Sequence, residues 1–144
     1  MLRLMHLLFP LTILLILSSK WFFPLVFNPD FAASAPLFNI YLLTLASRVL
    51  LPASIMLALG DSRGIFRVSI AELLLKIALG LWFIQGWGLP GLAWSVVLSF
   101  WVEKLGLMLI LEKKHGVRTA EWLAWRWYLG YVVALFVMFW FSKA

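Results

Sequence analysis

Apolar residues run through this chain in long stretches, separated by short clusters of turn formers and charges. A hydrocarbon core about 30 Å thick takes about 20 helical residues to cross. Five stretches of that order can be drawn, at residues 4–27, 33–59, 65–84, 92–111 and 127–141. The first carries Pro10 and Pro24 and a polar step at Ser18-Ser19-Lys20, then stops at the turn formers Asn28-Pro29-Asp30. The second ends at Gly60-Asp61-Ser62-Arg63-Gly64, where two glycines make a tight connection. The third closes at Gly86-Trp87-Gly88-Leu89-Pro90-Gly91, and the fourth gives way to the aqueous segment from Glu112 to Arg118. Glu121, Trp122, Trp125 and Arg126 mark an interfacial stretch. The fifth stretch is short and spans only with flanking aromatic and basic anchors. The pattern predicts an all-α fold, a polytopic bundle of about five membrane helices. Leu17 breaks the small-x-small pattern of a cleavage site, so the first stretch reads as a helix that stays.

Composition narrows the class. The 144 residues are 65% hydrophobic and 12% charged, with nine Trp and twelve Phe, and the mean hydropathy is +1.02. That excludes a soluble domain and a disordered chain, and the lack of cysteine excludes a disulfide scaffold. The net charge of +6 would suit a nucleic-acid binder if it formed one patch. It does not, and no nucleic acid is expected as a partner: the cations gather at the ends of apolar stretches. The loops at 28–32 and 86–91 hold no Lys or Arg, while Arg63 and Arg67, then Lys113, Lys114, Arg118 and Arg126, fill the alternate ones. By the positive-inside rule the Arg63 and Lys113 connections face the cytoplasm. Trp82, Trp87 and Trp94 then form one interfacial belt, with Trp122, Trp125 and Trp127 in the other. The expected location is the cytoplasmic (inner) membrane, crossed several times.

Four charges cannot reach a loop: Arg48 on the second helix, Glu72 and Lys76 on the third, and Glu103 on the fourth. A charge at mid-bilayer is costly and normally faces a bundle interior, a partner or a wet cavity. At 100° per residue each shares a face with small or polar groups. These faces are Ser34, Tyr41, Thr44 and Arg48; Ser69, Glu72, Lys76 and Gly80; and Ser95, Ser99, Glu103 and Gly106, with Lys104 pointing away to snorkel. Two readings stand. In one, Glu72 pairs with Lys76 and Glu103 with Arg48, and the network only fixes packing. In the other, Arg48 and Lys76 hold an anionic substrate in a cavity lined by Tyr41, Thr44, Ser69, Ser95 and Ser99, and Glu72 or Glu103 exchanges a proton or a sodium ion. Pro52 is placed to kink the second helix and free a carbonyl toward that cavity. The two histidines, His6 and His115, stand far apart, so no metal site, no catalytic triad and no cofactor is expected, and the chain does not read as an enzyme.

The turns also resemble a family. Leu25-Val26-Phe27-Asn28-Pro29-Asp30-Phe31-Ala32-Ala33-Ser34-Ala35-Pro36-Leu37 resembles the outer helix–loop–helix of the polysaccharide-biosynthesis flippases, where a Leu-Phe-Gly-x-x-Phe type turn enters an Ala-rich helix. Leu57-Ala58-Leu59-Gly60-Asp61-Ser62-Arg63 is similar to that family's Ala-Leu-Gly-x-x-Lys/Arg turn. Trp87-Gly88-Leu89-Pro90-Gly91-Leu92-Ala93 is similar to its Gly-x-x-Gly-x-Ala helix entry. The resemblance covers about residues 20–112 and points to the oligosaccharide-flippase branch of the multidrug/oligosaccharidyl-lipid/polysaccharide exporter superfamily. It implies transport of a polyprenyl-pyrophosphate-linked oligosaccharide, for O-antigen, capsule or exopolysaccharide, by alternating access between two lobes. Residues 1–112 would then be a four-helix portion of the C-terminal lobe, and 113–144 a basic cytoplasmic linker plus one further membrane helix. Arg48 and Lys76 would receive the pyrophosphate. Asn28-Pro29 in place of Gly, and Pro90, depart from the pattern. Five helices supply less than two lobes, so the expectation is a fragment whose N-terminal lobe lies in cis or on a partner chain. A small oligomeric multidrug-type exporter is the alternative, although helix 1 lacks the carboxylate it wants. A non-transporting membrane scaffold subunit is another.

Overall fold

The computed structural model describes the backbone of residues 2–143 and the side chains of residues 3–30 and 34–142. Met1 and Ala144, the outermost residues of the expected segments 1–112 and 113–144, lie outside the described residues, as do the side chains of Phe31, Ala32 and Ala33 in the first turn. The chain runs through α1 (Leu2–Val26), a 3-10 turn (Pro29–Ser34), α2 (Ala35–Leu42), α3 (Thr44–Arg48), α4 (Pro52–Ala58), α5 (Ser62–His115), α6 (Thr119–Trp122) and α7 (Trp125–Lys143). There is no strand among the described residues. Among the described residues, three helical stretches are long and apolar enough to cross a membrane: Arg3–Val26, Ala35–Ala58, and the 54 residues of Ser62–His115.

The expected second helix, 33–59, departs from one continuous rod. It starts at Ala35, after the 3-10 turn, and is interrupted at residues 49–51. Pro52 lacks the N–H that would bond the Arg48 carbonyl four residues back, and Leu51 leaves helical geometry at φ −115°, ψ 43°. Arg48 therefore ends α3, where a cation is favoured by the exposed carbonyls of a helix C-terminus.

The expected third and fourth helices, 65–84 and 92–111, both extend closer to their shared turn. The chain reverses at Gly88 alone, whose φ of 62° and ψ of −142° only glycine adopts readily. The two arms of α5, residues 62–87 and 89–115, fold back as an antiparallel hairpin. A methyl placed on Gly106 would lie 3.3 Å from Val68, and one on Gly80 would lie 3.2 Å from Leu92 and 3.6 Å from the Ser95 hydroxyl. At the open end Lys114 reaches Asp61 at 2.8 Å. This register sets Glu72 level with Glu103 and Lys76 level with Ser99.

The main core lies where α1, α2, α3, the second arm of α5 and α7 meet, with Phe9, Ile16, Leu43, Ala46, Val97 and Leu135 buried. A smaller cluster, Met56, Leu107 and Leu111, packs with Ile65 and Val68 where α4 meets the hairpin. The α7 helix has 19 residues, about 28 Å of rise and close to the hydrocarbon thickness. It packs on α1 through the stacked rings of Phe9 and Tyr131, 5.0 Å apart, and the Tyr128 hydroxyl donates to the Ala46 carbonyl at 2.9 Å. The first arm of α5 sits outside this core and turns Leu73, Leu74, Ile77 and Leu81 outward. An outer face built of such residues is suited to lipid.

Candidate functional site

The break before Pro52 and the α5 hairpin bring two of the intramembrane charges, Arg48 and Lys76, to one ring. The Arg48 guanidinium lies 4.9 Å from the centre of Phe100, and the Lys76 ammonium lies 4.6 Å from it. Two cations from different segments thus approach one aromatic ring on the second arm. Lys76 also pairs with Glu72 one turn earlier, at 2.6 Å. Both partners follow from the Glu-to-Lys spacing of four on one helix.

Glu103 pairs with Lys104 at 3.3 Å, each side chain 14% exposed. Two expectations change as a result. Lys104 does not point away to snorkel, because its long stem bends back to the carboxylate beside it. Nor does Glu103 neutralise Arg48: among the described residues Arg48 enters no ion pair and has Phe100 as its neighbour. The group of Arg48, Lys76, Lys104, Glu72 and Glu103 therefore holds one more cation than carboxylates. The packing network of two neutral pairs is half formed.

Beside this group is a cleft of about 360 Å³ between α2 and the two arms of the hairpin, lined by Tyr41, Lys76, Gly80, Leu92, Ser95 and Val96 among others. Lys76 and Tyr41 supply its polar groups and the rest is apolar, for Ser95 lines it fully buried, with its hydroxyl donated to the Leu92 carbonyl at 2.7 Å. The other hydroxyls expected in a cavity lie elsewhere or are occupied. Thr44 donates to the Tyr41 carbonyl at 2.6 Å, and Ser99 to the Ser95 carbonyl at 2.7 Å. Both are buried in helix contacts. Ser69 is half-buried on the first arm. Gly80 is what lets the two arms approach at the cleft, since a side chain there would press on Leu92.

A second constellation was not among the sequence expectations. Asp61 caps the N-terminus of α5, accepting from the Gly64 N–H at 3.1 Å. Its other oxygen accepts from Lys114 at 2.8 Å and from His115 Nε2 at 2.9 Å. One carboxylate thus ties both ends of the hairpin together while only 7% exposed. The signals were present as an Asp before a helix start and as Lys-Lys-His in its last turn; what was missing was the register that joins them. Hydrogen bonds from Lys114 and His115 hold the Asp61 carboxyl far below its ordinary value of 3.8. A depressed carboxylate contributes stability above its unfolded pKa and loses it as pH falls toward the folded one. We therefore expect the melting temperature of the wild type to fall below about pH 4 more steeply than that of Asp61→Asn. Melting curves in neutral detergent at stepped pH check this, and parallel curves would refute the tie.

Among the described residues there is no group of three or more His, Asp or Glu placed to hold a metal ion. What the site offers is a largely apolar cleft with Lys76 in its wall, next to the Phe100 ring that Arg48 and Lys76 both approach. Comparison with known proteins agrees in kind. A family model described as "Lipid II flippase MurJ" matches residues 2–142. No curated protein and no solved structure matches the chain. The match continues past residue 112 through α7, beyond the part of the chain that carries the turn resemblances. It bears out the expected flippase of a lipid-linked substrate, while the branch it names is lipid II and not oligosaccharide. The chain is an integral membrane protein that belongs to the lipid II flippase MurJ family, a family of transporters and not of enzymes.

Proposed function

We propose that the chain forms part of a flippase in the cytoplasmic membrane that carries a polyprenyl-diphosphate-linked saccharide from the inner to the outer leaflet. Arg48 and Lys76 receive the diphosphate, the cleft lined by Tyr41 and Ser95 takes adjoining substrate, and Glu72 and Glu103 couple the step to a proton or sodium ion. The observation that carries this reading is the meeting of Arg48 and Lys76 at Phe100, with Arg48 in no ion pair among the described residues. A cation held that way keeps its charge available to an anion. The second lobe that alternating access requires comes in cis or from a partner chain.

The family's name favours lipid II, the peptidoglycan precursor, as the saccharide. A second reading, an O-antigen, capsule or exopolysaccharide repeat unit, keeps the support of the three turn motifs at Asn28, Gly60 and Gly88. Proteoliposomes containing the assembled flippase and fluorescent lipid II, or a diphosphate-linked repeat unit in a parallel set, distinguish them. Lipid II is expected to become accessible to an external quencher faster than in empty vesicles. Movement of the repeat unit alone would transfer the function to polysaccharide assembly. Uptake of lipophilic cations with neither lipid moving would favour the multidrug-type exporter, and movement of nothing would favour the scaffold.

A further inference from the structure

The open end of the α5 hairpin carries a pocket separate from the Phe100 site and unused by the transport reading. It has a volume of about 440 Å³, and its lining includes Arg63, Arg67, Lys113, Lys114, Asp61 and Leu109. Four cations line it against a single carboxylate, and that carboxylate is already engaged by Lys114 and His115. Arg63 and Arg67 are four apart, so their guanidinium groups project from one face of the first arm, toward Lys113 on the second. Charges scattered along a cytoplasmic loop would satisfy the positive-inside rule without forming a concavity. Here they rim one, and its membrane-side wall is apolar: Leu109 is 56% exposed, with Ile110 beside it. Cations above an apolar wall at a membrane boundary match a phosphate headgroup and the first carbons of its acyl chains.

We infer that this pocket is a phosphate site for the headgroup of an anionic phospholipid in the leaflet that contacts the Arg63 face, which is the cytoplasmic one by the charge distribution. Arg63 and Arg67 grip the phosphate, Lys113 closes the opposite side, and Asp61 holds Lys114 at the rim. A bound lipid would join the two arms of the hairpin at the end where Asp61 already fastens them. The inference does not depend on what the Phe100 site transports, and its test needs no transport.

The test is lipid binding by native mass spectrometry of the full chain in neutral detergent, titrated with phosphatidylglycerol, with phosphatidylcholine, or with inorganic pyrophosphate in the absence of added lipid. Phosphatidylglycerol is expected to bind at least tenfold more tightly than phosphatidylcholine. Arg63→Gln/Arg67→Gln is expected to remove that preference, Lys113→Gln to reduce it severalfold, and Arg126→Gln, a cation outside the pocket, to leave it unchanged. Retained helicity by circular dichroism qualifies each variant as folded. Pyrophosphate that binds as tightly as phosphatidylglycerol, and is lost in the same double variant, would uphold the phosphate site and transfer its source to a soluble compound. Pyrophosphate that fails to bind supports the headgroup. Wild-type binding in both the double variant and Lys113→Gln, or equal losses in Arg126→Gln, would overturn the proposal.

Discussion

Arg48→Ala is expected to abolish substrate flipping while the chain still inserts and folds. Arg48 is exposed at the end of α3 and touches Phe100 without an ion-pair partner, so truncating it leaves no stranded carboxylate and little packing to repair. The folded chain gives up one cation–π interaction, worth about 0.5–1 kcal/mol at an exposed site. A bound diphosphate gives up more. Removing one partner of a desolvated, charge-assisted pair costs about 2–5 kcal/mol, which corresponds to a drop of about 30-fold or more in transport. Arg48→Lys keeps the charge but not the forked geometry and is expected to fall between. Glu72→Gln probes the other half of the assignment. It frees Lys76, so the substrate stays bound while the ion-coupled step stops. The measurements are quencher accessibility of fluorescent substrate in proteoliposomes, with membrane expression as the control for folding. Wild-type flipping in both Arg48→Ala and Glu72→Gln would remove the cavity assignment.

Much of this arrangement was legible because membrane helices announce themselves by length. Apolar stretches bounded by Asn28-Pro29-Asp30, the Gly60 turn and the Gly88 turn admit few alternatives once about 20 residues must cross about 30 Å. The break at Pro52 was also readable, since a missing N–H is a local property of one residue. What could not be read is which side chains meet across helices. Periodicity places Glu103 and Arg48 each on a polar face, but it gives neither the axial level nor the rotation that decides whether they touch. The hairpin register sets Glu103 level with Glu72, and its carboxylate turns to Lys104 instead. Phe100 was invisible for a different reason: in a chain with twelve Phe and nine Trp, one ring under two cations looks like any other lipid-soluble residue. Small hydroxyls were ambiguous in the same way. Thr44 and Ser99 fall on polar faces, yet Thr44 donates back to the Tyr41 carbonyl in the last turn of α2 and Ser99 to the Ser95 carbonyl in its own helix, as serine and threonine do where no water competes.

The hairpin on which both sites depend yields the second large effect, at Gly91. A methyl on Gly91 would lie 2.4 Å from the Phe83 carbonyl oxygen and 2.9 Å from its carbon. Those are backbone atoms of the opposing arm and cannot swing aside as a side-chain end would, so the turn must open. Opening it shifts the arms against each other, and the shift reaches every pairing set by the register: Val68 on Gly106, Phe100 under Lys76, and Lys114 on Asp61. Gly91→Ala is accordingly expected to cost about 3 kcal/mol or more, at the upper end for an overpacked position. Two neighbouring glycines supply the controls. Gly86 has open space around its missing Cβ, so Gly86→Ala is expected to be neutral or to stabilise by up to about 1 kcal/mol through helix propensity. Gly88 also has open space but a φ of 62°, so Gly88→Ala costs backbone strain alone, about 1–3 kcal/mol. Unfolding the three variants in a titration of denaturing against neutral detergent is expected to rank them Gly86→Ala, Gly88→Ala, Gly91→Ala in order of falling midpoint. Equal midpoints for Gly86→Ala and Gly91→Ala would mean that the arms do not approach at Phe83, and the placement of Lys76 against Phe100 would fall with that approach.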